Sequence, residues 1–354
     1  FGWATPALMA LFTHTVERRT GQAMRGVGPV LVLVLVLALL AYPPFLLWGY
    51  APAVLGTARL PLSVMAAGFN VLGWYAFAIV YARATRGVQR DAVLWICDLA
   101  LFFLVFSTLG AWGLPITQAL GVGTEPLKAA LTHVFLDTFG EGWFVLGVLG
   151  LAYAAAAETR RPVARWPVLV AALGIPFTFA LALPAGFVPP LWTWLARFGG
   201  VAVAAGLLAA VVVLWRRLQG HRVGWLWHIA LTLLALKAAG QFVVAVVPGM
   251  DWASLHGLRI LYLHLMLIGF VTLGLFAAAE AAFEVIGSVG LKAMVVAVAV
   301  LLATLVPLTG LWPTALSGTW VLYAAAIAAC LPVLVGMFVL GRLLLGPFDK
   351  KRAL

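Results

Sequence analysis

HGLRILYLHLMLIGFVTLGLFAAAEAAFE, residues 256–284, is the run on which the reading of this chain turns. It is longer than the roughly 20 apolar residues that carry a helix across a bilayer. Arg259 and His264 stand well inside it, where ionisable groups are costly to hold and are usually functional.

The remainder has the same character. Of 354 residues, 65% are hydrophobic and 9% charged, the mean hydropathy is +1.11, and no soluble core could absorb that much apolar surface. A β-barrel would alternate in segments of about ten residues; the long aliphatic runs here exclude it. The expected fold is all-α, a polytopic transmembrane helical bundle forming a single domain over residues 1–354. Ten full spans are expected, near 27–50, 60–82, 92–113, 127–157, 166–188, 191–215, 223–247, 252–283, 291–312 and 319–345. Residues 1–15 are apolar but too short to span, and read as the end of a truncated helix. Cys97 and Cys330 lie in apolar runs and are expected as free, buried thiols.

The net charge of +11 is a topology signal. Of the 22 Lys and Arg, seventeen fall on alternate loops and helix ends, against only Arg59 and Lys128 on the intervening ones. Since Lys and Arg accumulate on cytoplasmic loops, the C-terminus is expected to be cytoplasmic. The basic side would face anionic head groups of the lipid bilayer; no nucleic-acid surface is indicated. On the Arg-poor side only the connection 114–126, which holds Glu125, is long enough to form a lid or docking surface.

The three other cations, Arg197, Lys237 and Arg259, lie inside spans. The densest polar set is on the fourth span, where His133, Asp137 and Glu141 recur at i, i+4 and i+8 and so share one helix stripe. A rise of about 1.5 Å per residue carries the helix from Leu127 to Asp137 near mid-membrane. Arg259 and His264 on the eighth span and Lys237 and Gln241 on the seventh fall in the same half, so the three helices are expected to converge on one polar site. Asp98 is a further candidate for a proton path near the cytoplasmic side; Glu280 and Glu284 are expected to be solvated. Imidazoles on facing helices with neighbouring cations can ligate a haem and hold its propionates. Buried carboxylates beside cations can equally relay protons or exchange partners.

The segment Leu261–His264–Gly269–Phe270–Val271–Thr272 resembles the His-containing helices of the haem-copper oxidase subunit I superfamily, and in particular NnrS-type membrane proteins. Gly2-Trp3-Ala4-Thr5 resembles the tail of another such helix, and His133 with Gly142-Trp143-Phe144-Val145 is a looser third. The resemblance covers about three helices. It implies haem b bound by two of His133, His264, His256 and a histidine upstream of Phe1, with Arg259 beside a propionate. It further implies electron transfer or nitric-oxide and gas binding, alone or with other membrane subunits or a cytochrome, in a bacterial cytoplasmic membrane. His133 and His264 are thus the metal-ligand candidates. An oxidase core uses six metal-binding histidines including an adjacent pair, whereas this chain has six histidines in all and no such pair; a copper centre is not expected. Two readings stand beside the haem protein: a proton-coupled secondary transporter using Asp137, Glu141, Lys237 and Arg259, and a non-catalytic structural subunit.

Overall fold

The computed structural model describes residues 2–49, 53–55, 58–60, 62–157, 163–247, 252, 254–313 and 318–345. It is about 85% helical. The helices are α1 (Ala4–Thr20), α2 (Val27–Trp48), α3 (Leu62–Ala84), α4 (Ala92–Ala119), α5 (Glu125–Ala157), α6 (Trp166–Ala182), α7 (Pro190–Arg217), α8 (Gly224–Val246), α9 (His256–Phe283), α10 (Gly287–Thr309) and α11 (Thr319–Leu345). Among the described residues nine helices are long and apolar enough to cross a membrane, and α6 is a shorter apolar helix. The chain is an all-α, multi-pass membrane protein. Helices are the expected solution, because a helix satisfies its backbone donors and acceptors internally where no water can.

The run 166–188 is shorter as a helix than expected, for a local reason. Its last turn tightens to 3-10 geometry at Phe179–Ala182, and Leu183, preceding Pro184, is extended at φ −85°, ψ 147°, as the residue before a proline tends to be. The connection 114–126 is mostly helix and not a long loop. α4 continues through Pro115 to Ala119, Gly121 turns at φ +68°, and Thr124 caps α5 by accepting from Leu127 N–H at 3.4 Å. Between α2 and α3 the chain makes a small antiparallel hairpin, β1 (Ala53–Leu55) with β2 (Ala58–Leu60), pairing Val54 with Arg59.

A continuous hydrophobic core gathers residues from Ala4 on α1 to Val339 on α11. α5 is its axis: 78% of its most apolar window is buried, against 11% for α2 and 17% for α11, which leaves those two on the lipid-facing perimeter. Cys97 is buried as expected, but Cys330 is exposed because it lies on α11.

Small residues set the closest helix crossings. On α6 and α7, Gly174 and Gly199 face each other so tightly that a Cβ on Gly174 would stand 2.4 Å from the Gly199 carbonyl oxygen, and one on Gly199 2.7 Å from that of Gly174. α5 and α9 each contain a π-helical turn, at Thr138–Val145 and Leu265–Val271, and the two turns pack on each other. Their glycines allow close approaches: a Cβ on Gly140 would lie 2.9 Å from Met266 Cε of the facing turn, one on Gly142 2.4 Å from Phe103 Cβ on α4, and one on Gly269 2.9 Å from Leu233 on α8. Thr272 donates to the Leu267 carbonyl, five residues back, at 2.9 Å. Such turns are rare and occur often at functional sites.

Gly199→Ala is expected to destabilise the bundle by about 1–3 kcal/mol, because its methyl meets a backbone carbonyl and not a flexible side chain. Gly336→Ala, where nothing lies within 4 Å of the new methyl, is expected to cause no loss. Thermal unfolding in detergent, run on both variants, checks the contrast.

Candidate functional site

Where the first half of α5 meets α8 and α9, four polar side chains close on one another. Lys237, from the middle of α8, has no exposed surface. Its Nζ donates to Glu141 Oε1 at 2.6 Å and to Gln241 Oε1, one turn along the same helix, at 2.6 Å. Gln241 Nε2 donates to the other carboxylate oxygen, Glu141 Oε2, at 3.3 Å. The Tyr262 hydroxyl, from α9, donates to Glu141 Oε1 at 2.8 Å, and the Lys237 ammonium lies 5.1 Å from the centroid of the Tyr262 ring, within cation–π range. Trp252 meets the edge of that ring at 5.4 Å. Glu141 thus accepts three hydrogen bonds. Those that pair ionised groups are the strong ones, most of all away from water.

The π turn of α5 explains how Glu141 reaches this position. A regular helix would hold His133, Asp137 and Glu141 on one stripe, but the wider turn starts at Thr138 and breaks that register. Glu141 is buried in the bundle while Asp137 and His133 stay partly exposed. Asp137 instead borders a cavity of about 40 Å³ whose walls include Glu141, Gln241, Thr178, Trp252 and Tyr262. A water needs roughly 10–15 Å³ of such space, so the cavity can hold a few.

The sequence-derived candidates divide accordingly. Glu141, Lys237 and Gln241 come into direct contact, with Asp137 at the adjoining cavity. Arg259 is partly exposed on α9, three residues before Tyr262. His264 stands apart: it is two residues beyond Tyr262 and so on another face of α9, and its Nδ1 is bonded to the Ile260 carbonyl at 2.8 Å. His256 is exposed at the start of α9. Asp98 belongs to a different constellation, accepting from Arg90 Nε at 2.6 Å and from Tyr81 hydroxyl at 2.8 Å. Among the described residues no group of three or more His, Cys, Asp or Glu could hold a metal ion.

Tyr262 and Trp252 are the members that pattern reading missed. Aromatic residues near span ends look like interfacial anchors. The usable signal was spacing: Tyr262 lies three residues after Arg259, on the face of α9 that already carries a charge.

Lys237→Met is expected to destabilise the protein by about 3–5 kcal/mol, because it strands the Glu141 carboxylate in the bundle. The double variant Lys237→Met/Glu141→Gln, which removes both charges, is expected to recover most of that loss. A double-mutant cycle of unfolding in detergent measures the coupling; additive losses would mean that the pair is not coupled.

No protein-family model matches this chain, and no curated protein matches it.

Proposed function

We propose that the protein is a proton-coupled secondary carrier in which Lys237 exchanges carboxylate partners. The supporting observation is the fully buried Lys237–Glu141 pair beside a water-sized cavity that Asp137 also borders. Intramembrane ionisable residues of this kind mark ion and proton pathways. A proton bound by Glu141 cancels the charge that neutralises Lys237. The ammonium then shifts to Asp137, which borders the same cavity as Glu141. Release of the Glu141 proton on the opposite side restores the first pairing. One proton enters and one leaves, and the two pairings are the discrete states that a carrier needs. Gln241 and Tyr262 hold the Glu141 carboxylate in place in the first state.

The carrier is read as one domain crossing a bacterial cytoplasmic membrane ten times, with α6 as its short span and the C-terminus inside. The asymmetry of Lys and Arg between alternate loops supports that orientation.

A second reading, haem b ligation, is favoured by one contact. The Nδ1 bond of His264 to a backbone carbonyl leaves Nε2 as the coordinating atom, and outer bonds of this kind orient metal-bound histidines. The donor chemistry fits one axial ligand. Two cavities, one beside Glu141 and one at the far end of α9, are lined by neither His264 nor His133.

For the carrier, a cysteine placed at Ala182, on the cavity wall, in a background lacking Cys97 and Cys330, is expected to react with a membrane-impermeant thiosulfonate from one side of sealed vesicles. Glu141→Gln is expected to change that rate about tenfold or more, equivalent to a population shift of ~1.4 kcal/mol. No labelling from either side would remove the carrier reading. For haem, oxidised and dithionite-reduced optical spectra of protein from haem-replete cells decide: a Soret band that weakens in His264→Ala establishes it, and a colourless protein ends it.

A further inference from the structure

The cavity beside Glu141 lies where the short helix α6 ends, and its walls have one chemical bias. Two carboxylates, a hydroxyl, an amide and two aromatic rings line it, from Asp137, Glu141, Thr178, Gln241, Trp252 and Tyr262. Among its described lining residues there is no Lys, Arg or His. Lys237, which neutralises Glu141, is not part of that wall.

The two carboxylates differ in their commitments. Glu141 accepts from Lys237, Gln241 and Tyr262. Asp137 takes part in no hydrogen bond or ion pair among the described residues, and neither Lys237 nor Arg259 comes within ion-pair distance of it. A carboxylate therefore stands at the cavity with its acceptor sites open.

The bundle also shows how it holds an ammonium group. Around Lys237 Nζ are a carboxylate oxygen at 2.6 Å, an amide oxygen at 2.6 Å and the Tyr262 ring, its centroid 5.1 Å away. The cavity offers the same kinds of group to a free cation. Asp137 supplies the carboxylate. The Thr178 hydroxyl gives its proton to the Ile175 carbonyl at 2.9 Å, which leaves its oxygen to accept from a ligand. Trp252, packed on Tyr262 at 5.4 Å, supplies aromatic surface, and such rings receive alkylammonium ligands. The volume, about 40 Å³, admits about three water-sized groups at roughly 10–15 Å³ each. That is room for methylammonium and too little for a bulky quaternary ion.

We infer that the solute exchanged here is a small primary ammonium cation held by Asp137, an assignment that rests on the carrier reading and names its substrate. The charges close in both states. With Lys237 on Glu141, Asp137 binds the cation, and two carboxylates balance two cations. When a proton neutralises Glu141, Lys237 takes Asp137 and displaces the solute, and one carboxylate balances one ammonium. One proton is exchanged for one cation; the only bond made and broken is the O–H bond of Glu141, and no net charge accumulates.

The test is equilibrium dialysis of the full chain in detergent against radiolabelled methylammonium, with ionic strength held by tetraethylammonium chloride. Saturable binding of one cation per chain is expected, unchanged when sodium chloride replaces the tetraethylammonium salt. Asp137→Asn is expected to weaken it about thirtyfold or more, the low end of what loss of one partner of a desolvated charge pair costs. Glu141→Gln, which leaves Lys237 to Asp137, is expected to weaken it as much, and adding Lys237→Met to Glu141→Gln to restore it. A purely structural role for Glu141 would not give that reversal. Absence of saturable binding, or wild-type affinity in Asp137→Asn, would overturn the inference. Sodium competing as strongly as unlabelled methylammonium would overturn the ammonium as its ligand. If the variants do not fold, wild-type dialysis with those competitors decides alone. Every one of these measurements is an equilibrium in detergent, so failure here leaves the carrier reading to the sided labelling of Ala182→Cys.

Discussion

Lys237 carries its amino group where no solvent reaches, and a charge so placed must be balanced within the bundle or be lost. Glu141 supplies the balance at 2.6 Å, and the position of everything else around it follows. Gln241 must occupy the turn after Lys237 to share the ammonium and bond the second carboxylate oxygen, and Tyr262 must approach from α9 to complete the acceptor's shell. One ion pair therefore fixes the mutual height of α5, α8 and α9. Such a pair contributes little net stability compared with a well-packed apolar substitute, so its value lies in the geometry it imposes and in the alternatives it permits.

Packing elsewhere meets a different constraint. Lipid tails are as apolar as leucine, so helices gain little by hiding apolar surface from lipid and must instead approach closely. The Gly174–Gly199 crossing and the glycines of the two π turns provide that approach. α2 and α11, with few buried residues, pack mainly on one neighbour each, α3 and α10, and present valine, leucine and phenylalanine outward. The opposite, Arg-rich end is joined by ions: Arg19 with Asp91, Arg90 with Asp98 and Arg222 with Glu284 link connections that would otherwise be loose.

Much of the fold was legible because hydropathy is a strong signal at span length, and the polar residues inside spans were legible because they are few. Lys237, Gln241 and Glu141 stood out against valine and leucine, and their depths along three helices already pointed to one level of the bundle. Azimuth was not legible. Regular 3.6-residue spacing put His133, Asp137 and Glu141 on a common stripe, and nothing in Thr138–Val145 announces that the ladder there skips to the fifth residue. Tyr262 was hidden by its ordinary aromatic character and Glu280 by its place near a helix end, where a carboxylate bonded to backbone N–H groups reads like a solvated one. Proline misled in both directions: Pro115 lies within α4 without ending it, whereas Pro184 helps to end the short helix before it.

The π turn in α5 also divides that helix in function. On its N-terminal side lie His133 and Asp137; on the C-terminal side, Leu146–Ala157 is almost wholly buried among apolar neighbours. An unbroken α-helix would lock the azimuth of one half to that of the other, so any rotation that suited the polar face would misdirect the apolar one. The extra residue in the turn supplies an angular offset between them. The two halves act as separately phased rods on one continuous backbone, and the polar half can adopt the orientation its chemistry requires while the packed half keeps its own.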